Sequence, residues 1–132
     1  MTKSEKNILI ISGALILSAI ILGALGAHAL KQLLSEKSIE SFKTGVFYQL
    51  TQAFGIVLFT LIQKQFSVDL KLPKKLLLIG TLLFSCSIYI LSFSELINLG
   101  FFKSILGPIT PLGGVLMITS WLIFIIKIAK TQ

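Results

Sequence analysis

"ILIISGALILSAIILGALGA", residues 8–27, decides the fold, because it runs for 20 residues without a charge. A helix of that length rises about 30 Å, the thickness of a bilayer's hydrocarbon core. A secretory leader is the competing reading, since Lys3 and Lys6 precede the tract and "AHA" at Ala27–Ala29 resembles a cleavage site. The tract is too long for the apolar region of a leader, and further apolar tracts follow it. It therefore reads as a first membrane span, at about 8–28.

Composition carries this reading to the rest of the chain. Of the 132 residues, 55% are hydrophobic and 13% are charged, and the mean hydropathy is +0.95. A water-soluble domain of this size needs more charge to cover its surface. The single cysteine, Cys86, excludes an intrachain disulfide and reads as a small buried side chain. The net charge of +7 comes from 12 lysines with no arginine at all. Nucleic-acid recognition leans on arginine forks, so nucleic acid is not an expected partner. Lysines beside apolar tracts read instead as anchors to the headgroups of membrane lipids.

The segment "KQLLSEKSIESFKTG", residues 31–45, carries charges of both signs. Ser35 or Ser38 is placed to cap a helix with Glu36 or Glu40 in its first turn, and Ile39, Phe42 and Val46 share one face. This predicts a helix that starts at the interface and continues into a second span, at about 45–63, the most polar of the set. "QKQFSVDLKLPKK", residues 63–75, is a basic connection, and its Pro73 suits the first turn of a third span at about 75–93. "SELINLGFFKSILGPI" is apolar but broken by Glu95, Gly100, Lys103, Gly107 and Pro108, which predicts an interfacial segment over 95–108. Thr110 and Pro111 then restart a helix, giving a fourth span at about 110–129. The expected fold is an all-α integral membrane protein, one domain over 1–132, with four transmembrane helices in one compact bundle.

An even number of spans puts both termini and the 63–75 connection on one side. That side holds Lys3, Lys6, Lys64, Lys71, Lys74, Lys75, Lys127 and Lys130, whereas Lys31, Lys37, Lys43 and Lys103 lie on the other. The positive-inside rule makes the N and C termini cytoplasmic.

Depth then groups the unusual side chains. His28, Tyr48, Gln49, Gln52, Ser85, Tyr89 and Thr110 all fall in the outer half of the spans, and Thr81, Ser85, Tyr89 and Ser92 share a helical face. Polar groups facing lipid would lose their hydrogen bonds, so one inward polar cluster between the helices is expected as a candidate binding site. The bland alternatives are a solvated His28 and purely structural hydrogen bonding by the Gln, Tyr and Ser side chains. Ala19, Gly23 and Ala27, spaced by four, and Gly113 with Gly114 read as helix-packing positions.

Several chemistries lack their parts. With one His, one Cys and no carboxylate inside a span, a metal site has too few ligands. No Walker loop, dinucleotide fingerprint or haem-ligand pair occurs, and no oriented Ser–His–acid arrangement can be read, so neither cofactor nor catalytic residue is expected.

Four motifs in order, "GALGAH" (Gly23–His28), "YQ" (Tyr48, Gln49), "FSCSIY" (Phe84–Tyr89) and "TPLGG" (Thr110–Gly114), resemble the small bacterial YgdD-type membrane family. That family is catalogued as a domain of unknown function and is related to eukaryotic transmembrane protein 256. The resemblance covers nearly the whole chain and implies four transmembrane helices in the bacterial cytoplasmic membrane, but no established activity. This chain departs from the family pattern at Gln52, where a second histidine is usual, at Cys86 and Ser120, where glycine is usual, and in a longer segment before Pro108. A role for paired histidines is therefore not expected here. The function expected is that of a non-catalytic structural or accessory subunit of a larger membrane complex, or of a homo-oligomer. The alternative is a lipid or small-solute binding or transport module built on the outer polar cluster.

Overall fold

The computed structural model describes residues 1–131, and its architecture is four long helices joined by short connections. Helix α1 spans Lys3–Ala27, α2 Glu36–Phe66, α3 Lys71–Ser92 and α4 Phe101–Ala129. All four are long and apolar enough to cross a membrane. Each helix packs antiparallel on the next, α1 on α2, α2 on α3 and α3 on α4, so both ends of the described chain and the α2–α3 connection share one end of the bundle.

The helix starts follow local chemistry. Thr2 caps α1 through a reciprocal box, its Oγ1 accepting from the Glu5 amide at 3.2 Å while its own amide donates to Glu5 Oε2 at 2.7 Å. Ser35, one of the two expected caps, starts α2 by accepting from the Ser38 amide at 3.3 Å. Before α3, Gln63 Oε1 accepts from the Leu70 amide at 3.0 Å and Asp69 Oδ1 from the Lys71 amide at 3.1 Å. Pro73 then sits in the first turn, where no donor is missed.

The last connection differs from the expectation. No helix restart occurs at Thr110: α4 begins at Phe101, within the segment 95–108 expected at the interface, and runs through both Pro108 and Pro111. Only residues 93–100 are non-helical, closed by Gly100 at φ 51°, a conformation that glycine adopts without a Cβ clash. Proline ends a helix in water by removing a donor and crowding the carbonyl four residues back. In a membrane an open helix end is the costlier alternative, so the helix continues. At 29 residues, α4 is about 44 Å long, more than the hydrocarbon core alone requires.

Packing divides the bundle in depth. Toward the end that holds the termini lies an apolar core of Ile56, Phe59, Leu70, Leu77 and Met117, with Trp121 and Phe124 against it. Phe59 stacks on Phe124 with ring centroids 4.3 Å apart. Midway, α3 and α4 touch backbone to backbone at Gly80 and Gly113. A Cβ on Gly113 would lie 2.5 Å from the Phe84 nitrogen and 2.7 Å from the Gly80 oxygen. Toward the other end polar contacts join an aromatic cluster in which buried Phe42 packs on Tyr89 and Phe93.

The expected packing stripe on α1 is shifted. Ala19 is fully buried, and a Cβ on Gly23 would be in ordinary contact with Val46, but Ala27 is exposed. Gly26 takes its place, lying so close to the Phe42 ring that a Cβ would sit at 3.0 Å. The helix turns 100° per residue rather than 90°, so a spacing of four drifts off the contact line within two steps. On α4, Gly113 is buried, whereas Gly114 has only a loose approach to the Phe84 ring. Cys86 also departs from expectation. It is exposed on the outside of α3, because its neighbours Ser85 and Ser87 take the buried faces toward α2 and α4.

Candidate functional site

The expected single polar cluster resolves into three separate sets of contacts. The first joins α1, α2 and α3 around Gln49, which is 5% exposed. Its Nε2 donates to the Leu15 carbonyl at 2.9 Å and to Ser18 Oγ at 2.8 Å, and its Oε1 accepts from the Tyr89 hydroxyl at 2.7 Å. One turn away, Ser85 Oγ donates to the Gly45 carbonyl at 2.8 Å. Gly45 must be glycine for this approach, since a Cβ there would lie 2.8 Å from Tyr89 Cε1. A cleft of about 220 Å³ borders this set, lined by Leu15, Ser18, Gln49, Ser85, Cys86 and Tyr89.

The second set joins α2 to α4. Gln52 Oε1 accepts from the Trp121 indole at 2.8 Å, while Tyr48 packs its ring on Phe84 with centroids 4.8 Å apart. Tyr48 and Gln52 line a laterally open groove of about 350 Å³ with Phe84, Met117 and Trp121. The third set joins α3 to α4, where Ser87 Oγ and Thr110 Oγ1 lie 2.7 Å apart.

Helical geometry explains the split. Gln49 and Gln52, three residues apart, point about 60° from each other, enough for one to face α1 and the other α4 across the width of α3. Tyr48 is 36% exposed and follows Gln52 rather than Gln49. His28 joins none of the sets. It caps the end of α1 with its amide on the Leu25 carbonyl at 3.3 Å, and its imidazole is exposed. The chain turns away at that point, so the outer rim position lies outside the helix contacts.

Sequence reasoning overlooked Ser18, Ser87, Ser120 and Trp121 as partners. Trp121 carried a usable signal, since an indole N–H in a bilayer requires an acceptor and Gln49 and Gln52 offer side-chain amides inside a neighbouring span. Ser120 is fully buried and donates to the Pro73 carbonyl at 2.7 Å, which only the register of α3 on α4 could reveal.

Outside the spans, Glu95 ties the α3–α4 connection to the start of α2. Its Oε1 accepts from the Ser35 amide at 2.8 Å, and this bond holds the carboxyl below its ordinary range. Among the described residues no three His, Cys, Asp or Glu side chains are grouped closely enough to hold a metal ion. No buried side-chain nitrogen or oxygen there lacks a hydrogen-bond partner.

Comparison with known proteins agrees with the motif resemblance. The family described as "Protein of unknown function (DUF423)" matches residues 22–114. The UPF0382 membrane protein YwdK of Bacillus subtilis is 36% identical over 127 residues, covering 94% of this chain and 98% of the relative. A UPF0382 membrane protein of Staphylococcus haemolyticus is 36% identical over 108 residues, covering 82% and 83%. The UPF0382 inner membrane protein YgdD of Escherichia coli is 31% identical over 106 residues, covering 80% and 76%. No solved structure matches.

Proposed function

The chain belongs to the DUF423 (UPF0382) family of bacterial membrane proteins, and from that premise we propose that it is a non-catalytic structural or accessory subunit of a larger membrane complex. It is a multi-pass protein of the cytoplasmic membrane. The observation that carries the proposal is the commitment of Gln49. A solute site needs a free donor or acceptor, yet the Gln49 oxygen and nitrogen both bond to neighbouring helices, and Ser85, Ser87 and Thr110 are similarly engaged. Polar groups used this way set helix register and rigidify the bundle, which suits a scaffold better than a carrier. The large exposed apolar faces of α1 and α4 meet lipid and offer area to a second subunit or another copy.

Native co-purification in mild detergent tests the reading. A defined co-isolating membrane chain, or a homo-oligomer stable to dilution, is expected; a lone monomer after gentle extraction and crosslinking would remove its basis. Both termini are assigned to the cytoplasm on the lysine asymmetry, and a reporter fused after Thr131 that is active only outside the membrane would reverse that orientation.

Binding of a lipid chain or small apolar molecule is the second reading, favoured by the groove between α2 and α4. Its walls are apolar, and Tyr48 and Gln52 supply the few polar atoms that would orient an occupant. Quenching of Trp121 fluorescence by brominated lipid, lost in Gly114→Phe, is the expected signature.

A further inference from the structure

At the end of the bundle that holds the termini, the first turns of α1 and α3 and the last turn of α2 enclose a cavity of about 500 Å³. Lys71, Lys74 and Lys75 line it together with Thr2, Glu5 and Gln63. Lys74 is 7% exposed, more than nine-tenths buried, and makes no hydrogen bond or ion pair among the described residues. Of the acceptors that line the cavity, Glu5 accepts from the Thr2 amide and Gln63 from the Leu70 amide.

We propose that this cavity is a binding site for the phosphate of an anionic phospholipid, with Lys74 as its central ligand. The stem of Lys74 is buried but its ammonium reaches the cavity without a protein partner, and a phosphate supplies several strong acceptor oxygens at once. The lining side chains carry three positive charges against the single carboxylate of Glu5, which leaves the cavity electropositive. The starts of α1 and α3 both open here with the positive ends of their helix dipoles, offset in part by the negative C-terminal end of α2. Ile8 and Leu78 form apolar wall beyond the lysines, which suits a headgroup continuous with acyl chains better than a free ion. The site lies at the other end of the bundle from the Gln49 contacts and is independent of the structural role proposed above.

Native mass spectrometry of the full chain in detergent, titrated with dioleoyl phosphatidylglycerol or dioleoyl phosphatidylcholine, tests the assignment. Preferential retention of phosphatidylglycerol is expected, with affinity falling about fivefold or more in Lys74→Gln. Lys130→Gln removes the same charge at the same end outside the cavity and is expected to stay within about twofold of the parent. Lys75→Gln, on an exposed side chain of the same cavity, gives a second variant with an expected intermediate loss should Lys74→Gln unfold. Equal losses at Lys74, Lys75 and Lys130, or no preference over phosphatidylcholine, would overturn the site. Displacement by millimolar inorganic phosphate would overturn the lipid assignment and leave a free-phosphate site in its place.

Discussion

Gly113→Ala isolates the closest approach in the bundle. The added methyl would meet the Phe84 nitrogen at 2.5 Å and the Gly80 oxygen at 2.7 Å, whereas ordinary contact begins near 3.4 Å. Both obstacles are backbone, so no side chain can swing aside, and α3 and α4 must part by roughly 1 Å. Overpacking of this kind costs about 1–3 kcal/mol. The separation also stretches the Ser87–Thr110 and Ser120–Pro73 hydrogen bonds, each 2.7 Å long, at about 0.6 kcal/mol apiece in a membrane protein. Gly13→Ala, within α1, serves as the reference, because a Cβ there meets nothing within 4 Å and the gain in helix propensity cancels in the comparison. The two variants should therefore differ by about 2–4 kcal/mol. Unfolding in mixed micelles of rising dodecyl sulfate fraction, followed by the fluorescence of the chain's single tryptophan, measures this directly. A difference under about 0.5 kcal/mol would mean that the helices are not in backbone contact at Gly80 and Gly113.

Three other outcomes are expected. Gln49→Leu should destabilise the bundle by about 1–2 kcal/mol, and a double-mutant cycle with Tyr89→Phe should show coupling of a few tenths to 1.5 kcal/mol; strict additivity would contradict their hydrogen bond. Gln52→Leu should leave the Trp121 indole without its acceptor, which a shift of the indole N–H resonance in a nitrogen-15 spectrum would reveal, while an unchanged resonance would count against the contact. The Glu95 carboxyl titrates below its ordinary value because the Ser35 amide favours the charged form. Its contact is thus fully present above the unfolded carboxylate range and is lost as pH falls through the depressed folded value. Hydrogen exchange at the Ser35 amide should accelerate, relative to neighbouring amides, only on that acid limb, and Glu95→Gln should flatten the dependence.

The architecture was legible because lipid imposes it: uncharged tracts long enough to span must be helices, and Ser35 and Pro73 marked two of their starts correctly. Pro108 and Pro111 misled, since rules for helix ends assume that water can take up the freed backbone groups. The azimuth of the polar side chains was not legible in the sequence. Period alone cannot say that Tyr48 follows Gln52 toward α4 while Gln49 turns to α1, because that choice depends on how α3 crosses α2. The burial of Lys74 was equally invisible, as it arises where the start of α1 meets the α2–α3 turn, which lies far from it in sequence.

The two amides of α2 also bear on biogenesis. Ser12 and Ser18 of α1 bond to carbonyls of their own helix, at Ile8 and Leu15, so α1 can rest alone in lipid as soon as it leaves the insertion machinery. Gln49 and Gln52 depend on Tyr89 and Trp121, which are synthesised 40 and 69 residues later. Until those arrive, the two amide oxygens of the second helix lack their donors, although Gln49 Nε2 can already bond to α1 at Leu15 and Ser18, and this helix is the step most in need of a chaperoning surface during insertion.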